Sequence, residues 1–222
     1  RCMPFSTNLK FMNDIKEELS IKLEKIIRVY IFAQDAYLYT EYFHNPNTKE
    51  ELDLVVNSPH STSLLKIMHL MFRTLIVEVS KLFSQSDSDK FQLGKFIQSL
   101  SPSGHFRKIG ISASHIEQWQ QQLIDNQKTI DNIHLLRSKL YAHTDNPMKD
   151  YNYVDISFKE IKQLLNLAGA ILINIYHDIY QTDLRLDSPT FDRQKFIILN
   201  LLAKAETERQ NDIFTKYNNW KQ

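Results

Sequence analysis

The run Arg137-Ser138-Lys139-Leu140-Tyr141-Ala142-His143-Thr144-Asp145 gathers a fixed cation, an imidazole and hydroxyls within nine residues. A guanidinium can hold a phosphate through two donors and stabilise charge that develops on its oxygens. An imidazole exchanges protons near neutral pH. Arg137 as the electrostatic clamp and His143 as the general acid–base suffice for metal-free attack of an RNA 2′-hydroxyl on its neighbouring phosphate. On one continuous helix, positions six apart differ by about 120° around the axis. The two side chains therefore converge only if the helix ends between them, or if both face a groove shared with another subunit. Asn146-Pro147 supplies such an end. There the helix dipole and Asp145 both favour a protonated His143. The competing reading makes Arg137 a partner of helix-terminal carbonyls or of a carboxylate, with His143 as a C-cap.

The elements that must position this corner read as helices. With 4 Gly and 6 Pro in 222 residues, the chain lacks the regular turns of a sandwich or a doubly wound sheet. The expectation is an all-α, up-and-down bundle of about five or six helices with long first and fourth helices. Apolar residues at three- and four-residue spacing predict a helix over about 9–43, through Ile15, Leu19, Leu23, Ile26 and Tyr30. Residues 50–59 read as a short turn or loop. A helix over about 63–83 carries Leu64, Ile67, Met68, Met71, Leu75 and Val79 inward, and a shorter one covers about 91–100. The fourth runs over about 114–141, opened by a capping box of Ser114 and Glu117. After a Tyr-rich, irregular piece at 151–156, Ser157 and Glu160 form a second box ahead of a helix through Ile175 and Ile179. The last helix spans about 190–216, with Ile197, Ile198, Leu201 and Leu202 apolar, and its end from Glu206 is free for solvent or a partner. One domain over 1–222 results, its core about 9–182, with the last helix as an appendage.

Lys and Arg number 27 against 26 Asp and Glu, a net charge of +1. Bulk electrostatic grip on nucleic acid is thereby excluded, although a local basic pocket is not. A single Cys2 rules out an intrachain disulfide and fits a reducing compartment. No apolar run approaches the roughly 18 residues that span a bilayer, so the expected location is cytoplasmic, with no membrane partner. His69, His134 and His177 stand singly, without partners at metal-site spacing, and read as structural or solvent-facing. No phosphate loop, nucleophile elbow or zinc-protease signature occurs, and neither cofactor nor metal is expected. The aromatics from Tyr37 to Phe43 read as core or dimer packing rather than a base-stacking platform.

The string from Leu135 to Asp145 resembles the signature of the HEPN superfamily, an Arg and a polar residue followed by a His; here five residues intervene between Arg137 and His143. Lys139, Ala142 and Asp145 make it most similar to the abortive-infection branch. That branch often carries Glu-x-x-Lys-Leu-Phe on an earlier helix, and Glu78-Val79-Ser80-Lys81-Leu82-Phe83 matches. By order of elements the resemblance covers about 63–181; by motif it covers some fifteen residues. It implies a helical bundle that forms a homodimer, with the Arg and His of two protomers facing one cleft. It further implies a metal-independent endoribonuclease of phage defence or a toxin–antitoxin system, with RNA and an antitoxin or defence-system protein as partners. By position, Arg137 would polarise the scissile phosphate and His143 would move the proton. Ser138 stands where the family usually has Asn, Asp or His. Tyr141 either orders Arg137 or packs in a core or interface. Glu78 either orients Arg137 or forms a plain i,i+3 pair with Lys81. Many relatives keep the fold without cleavage, so a non-catalytic module that dimerises and binds RNA or a protein stands as the alternative.

Overall fold

A computed structural model describes residues 5–84, 92–142, 156–188, 190–192 and 196–220, with the backbone alone for 5–13 and 139–142. All regular structure among the described residues is helical, as the scarcity of breakers requires. The described residues form eight α-helices: α1 (Phe5–His44), α2 (Lys49–Asn57), α3 (Ser61–Leu82), α4 (Leu93–Leu100), α5 (Ala113–Asp125), α6 (Gln127–Ala142), α7 (Phe158–Tyr180) and α8 (Ile198–Trp220). A single 3-10 turn, Arg107–Ile109, lies between α4 and α5.

Two local hydrogen-bond sets raise the number above the expected five or six. Residues 50–59 are mostly helix because Thr48 caps it. The Thr48 hydroxyl accepts from the Glu51 amide at 3.2 Å, and the buried Glu51 carboxylate accepts from the Asn47 amide at 2.7 Å. The expected long fourth helix is two helices, divided at Asn126. Its amide donates to the α5 carbonyl of Leu123 at 3.2 Å and its side-chain amide to Gln122 O at 2.9 Å. Its own carbonyl accepts from Thr129 and Ile130 at 3.0 and 3.1 Å. One residue thus closes α5 and opens α6. The expected Ser114–Glu117 capping box is absent: α5 starts at Ala113, its N-cap is Ser112, and the Ser112 and Ser114 hydroxyls bond each other at 2.7 Å. The Ser157–Glu160 box at the head of α7 forms as read, and the Ser157 bonds lower the Glu160 pKa.

The chain packs as two compact units, Arg1–Gln34 with Leu75–Asp187, and Asp35–Thr74 with Ser188–Gln222. In the first, Leu19, Leu23 and Ile26 of α1 are buried with Leu75, Ile76 and Val79 of α3, Phe96 and Ile97 of α4, and Leu164, Ala168 and Leu172 of α7. Gly169 admits the buried Tyr30 side chain; a Cβ there would lie 2.6 Å from the Tyr30 hydroxyl. Burial raises the Tyr30 pKa. Residues 143–155, which include the Tyr-rich piece up to Val154 and Asp155, lie outside the described residues.

In the second unit, Tyr42, Phe43, Leu54, Val55, Leu64, Leu199 and Ala203 form the core, with Phe191 and Phe196 packed against it. Tyr39 meets Phe191 and Phe196 edge to face at 4.9 and 5.1 Å, and Tyr42 meets Phe196 at 5.0 Å, so these α1 aromatics do pack in a core. The last helix starts at Ile198, not near 190. Asp35 holds the preceding segment by accepting from Ser188 and, at 2.9 Å, from Thr190, while the Tyr42 hydroxyl accepts the α8 amide of Leu199 at 3.1 Å. That cap turns Leu199, Ala203 and Glu206 inward. Ile197, Ile198, Leu201 and Leu202, expected on the apolar face, are 40–56% exposed. Ile67 of α3, also expected inward, is exposed as well.

Glu206 is a buried carboxylate with built-in partners. Arg209 donates to both of its oxygens at 2.7 Å, Gln210 donates at 3.0 Å, and His60 lies 3.8 Å away. The Arg209 bonds first, then that of Gln210, lower its pKa from the usual 4.5 to about 2. A folded-state value below the unfolded one stabilises fully above pH 4.5, and this contribution is lost as the pH falls through about 2. Urea denaturation between those limits is expected to show stability falling with acid, and Glu206→Gln to flatten that slope while lowering stability at neutral pH. An unchanged slope in the variant contradicts the assignment.

Candidate functional site

α6 grows out of the Asn126 junction with Ile130 and Ile133 buried. Arg137 follows at i+4 from Ile133 and i+7 from Ile130, on the same stripe. Its side chain is half-buried, which suits an arginine whose aliphatic stem covers apolar surface while the guanidinium reaches outward. Ser138 is one step around the helix and exposed.

The placement of α6 against α3 rests on a specific bond. His134 Nε2 lies 2.8 Å from the carbonyl oxygen of Phe83, the residue after the last of α3. A carbonyl only accepts, so Nε2 carries the proton. Carbonyls at a helix C-terminus have no partner within the helix, and the imidazole satisfies this one. His134 is therefore structural, as its isolation in the sequence suggested. One turn on, the Ser138 hydroxyl donates back to the His134 carbonyl at 2.9 Å.

The Glu78-x-x-Lys81 segment lies on α3 shortly before Phe83. Lys81 Nζ donates to Glu78 Oε1 at 2.5 Å, an i,i+3 pair in which the lysine is the more exposed partner. The α3 segment and Arg137 thus belong to one unit and are joined through the Phe83–His134 bond. Tyr141 lies one turn after Arg137 on α6. His143 and Asp145 lie outside the described residues, so the structure places Arg137, Ser138, Tyr141, Glu78 and Lys81 but not the imidazole assigned to proton transfer.

A second histidine arrangement was not visible in the sequence. His115, in the first turn of α5, sits with Nδ1 2.7 Å from Oδ2 of Asp178 in the last turns of α7, and its ring lies 5.8 Å from that of Trp119. A carboxylate on one ring nitrogen fixes the ring and leaves the other nitrogen for a proton partner. The 63 residues between them explain why no spacing rule finds the pair; only the packing of the first unit brings them together. The bond also ties α5 to α7. Among the described residues, no three His, Cys, Asp or Glu side chains gather as they would around a metal ion, and no helix is long and apolar enough to cross a membrane.

Compared with protein-family models, curated proteins and solved structures, the chain matches none.

The two contacts near Arg137 differ in energetic weight. His134→Ala leaves a helix-terminal carbonyl without its donor and is expected to cost about 1–2 kcal/mol in chemical denaturation. Lys81→Ala removes half of a solvent-screened pair and is expected to change stability by less than about 0.5 kcal/mol. Equal costs for the two would contradict the role given to His134.

Proposed function

We propose that the protein is a HEPN-type, RNA-binding, metal-independent endoribonuclease acting as a homodimer in phage defence or a toxin–antitoxin setting. The observation that carries the reading is the setting of Arg137 within the Arg137–Asp145 string. The arginine continues the buried Ile130–Ile133 stripe on a helix pinned one turn earlier to the end of α3. The residue is half-buried, a setting that suits a phosphate clamp whose aliphatic stem packs on the helix bundle. The Glu78–Lys81 segment belongs to the α3 end to which α6 is bonded. In this reading Arg137 holds the scissile phosphate and stabilises its developing charge. His143 takes the 2′-hydroxyl proton and returns one to the 5′-oxygen leaving group, so the products are a 2′,3′-cyclic phosphate and a 5′-hydroxyl.

One observation favours the second reading, a non-catalytic dimeric module that binds RNA or a protein. The Ser138 hydroxyl, at the family's polar position, spends its proton on the His134 carbonyl of its own helix.

Cleavage of a mixed RNA pool in EDTA separates the two. The nuclease reading predicts wild-type products ending in 2′,3′-cyclic phosphate and a loss of about a hundredfold or more in His143→Ala and Arg137→Ala. A folded, dimeric wild type that cleaves no RNA at any enzyme concentration favours the module instead.

A further inference from the structure

The charges of the chain nearly cancel, yet they are not evenly placed. Residues 92–116 carry Lys95, Arg107 and Lys108 and no Asp or Glu, where the chain's average would place about three acids. Three of the 27 Lys and Arg thus stand there against none of the 26 Asp and Glu, and the rest of the chain is net negative. A basic surface confined to one part of a near-neutral protein suits limited contact with a polyanion.

The fold gathers these cations. α4 ends at Leu100 and the chain turns back on it. The Phe106 amide donates to the Ser99 carbonyl at 2.7 Å, and the Gly104 amide to that of Ser101 at 2.8 Å. Glycine is needed at 104, since a Cβ there would collide with the Ser99 carbonyl. Phe106 is thereby set on Phe96, with ring centroids 6.4 Å apart and both rings buried. Lys95 directly precedes one ring, and Arg107 and Lys108 directly follow the other. From α1, Lys22 Nζ lies over both, 6.0 Å from the Phe96 centroid and 5.5 Å from that of Phe106. Cations from α1, α4 and the 3-10 turn therefore share one lobe of the first unit, the unit that also holds Arg137. Burial lowers the Lys22 pKa, Glu18 works against that shift, and Lys95 adds to it, so the two lysines feel each other's charge. Glu18 faces the lobe, and His105 Nε2 meets its Oε2 at 2.9 Å. Arg107 and Lys108 are exposed, and the Arg107 guanidinium donates to Gly104 O at a long 3.4 Å.

We propose that this lobe, through Lys22, Lys95, Arg107 and Lys108, binds the sugar–phosphate backbone of RNA without reading its sequence. The character of the surface selects this partner. No large apolar side chain of residues 92–116 is exposed, as insertion into a membrane surface would need. The exposed Gln98 and Ser103 instead add amide and hydroxyl groups of the kind that meet phosphate and sugar. That the polyanion is RNA rests on the ribonuclease reading; the basic lobe itself rests on its own geometry.

The test is fluorescence anisotropy of a labelled, single-stranded 2′-O-methyl RNA, which binds but cannot react by the 2′-hydroxyl route. It is titrated with the full chain between about 50 and 200 mM salt. Four phosphate contacts on a single strand predict a log–log salt slope of about −3. Arg107→Gln with Lys108→Gln is expected to weaken binding about tenfold at low salt and to flatten the slope by about 1–2, alike for different sequences. Lys159→Gln with Lys162→Gln, at two exposed lysines of α7, removes the same charge and is expected to leave affinity and slope nearly unchanged. All four positions are exposed, and circular dichroism checks that the variants keep their helix content. A lobe variant that binds with the wild-type slope overturns the proposal, and wild-type cleavage of ordinary RNA then leaves the ribonuclease reading standing. An equal loss in the α7 variant makes the effect one of net charge and overturns it too. Lobe-dependent binding without cleavage of ordinary RNA supports the proposal and counts against the ribonuclease reading. A wild type that binds no RNA, or whose lobe binds phosphatidylglycerol vesicles instead, overturns the proposal.

Discussion

A carbonyl at the end of a helix must find a donor, and at Phe83 that requirement fixes the site-bearing helix. α3 ends at Leu82, and the Phe83 oxygen is satisfied by the His134 imidazole of α6 at 2.8 Å. Because the bond is directional, it sets both the rotation and the axial position of α6 in a way that apolar packing of Ile130 and Ile133 alone does not. Arg137, three residues on, inherits its place from that bond. The Glu78–Lys81 pair rides on the same end of α3. The corner that carries the candidate chemistry is held by a side-chain-to-backbone bond, with the ion pair beside it secondary in weight.

The second unit is organised by capping rather than by a long apolar interface. The Tyr42 hydroxyl accepts the Leu199 amide and decides where α8 begins, while Asp35 gathers Ser188 and Thr190 just upstream. Glu206 is then buried with Arg209 and Gln210 donating to it, so its charge is matched on its own helix. Beyond Glu206 the helix keeps its apolar arc but leaves the core behind, and every residue from 207 to 220 is exposed.

What could be read from the chain was what local rules govern. The apolar spacing of Ile15, Leu19, Leu23 and Ile26 located α1, and the Ser157–Glu160 pair located the start of α7 within one residue. Asn126 was not legible as a break, because asparagine is tolerated inside helices and its role here depends on bonds made in both directions at once. Ser114 matched a capping pattern, yet the helix begins one residue before it. The late start of α8 depends on aromatic contacts of Phe191 and Phe196 with Tyr39 and Tyr42, some 150 residues away in sequence. At the candidate site, Arg137 was legible from its motif, whereas its anchoring through His134 and the His115–Asp178 pair were not, since both are made by tertiary packing.

The central functional claim is that Arg137 and His143 act on one phosphate. Nuclear magnetic resonance of protein labelled in arginine and histidine side chains tests it without requiring turnover. The titrant is a short oligonucleotide with 2′-deoxy sugars, which binds but cannot react by the 2′-hydroxyl route. The account predicts that the Arg137 Nε–H and His143 ring signals shift together along one saturation curve, with each assigned by its alanine variant. Saturable binding that shifts neither signal would contradict it and move nucleic-acid recognition to another surface.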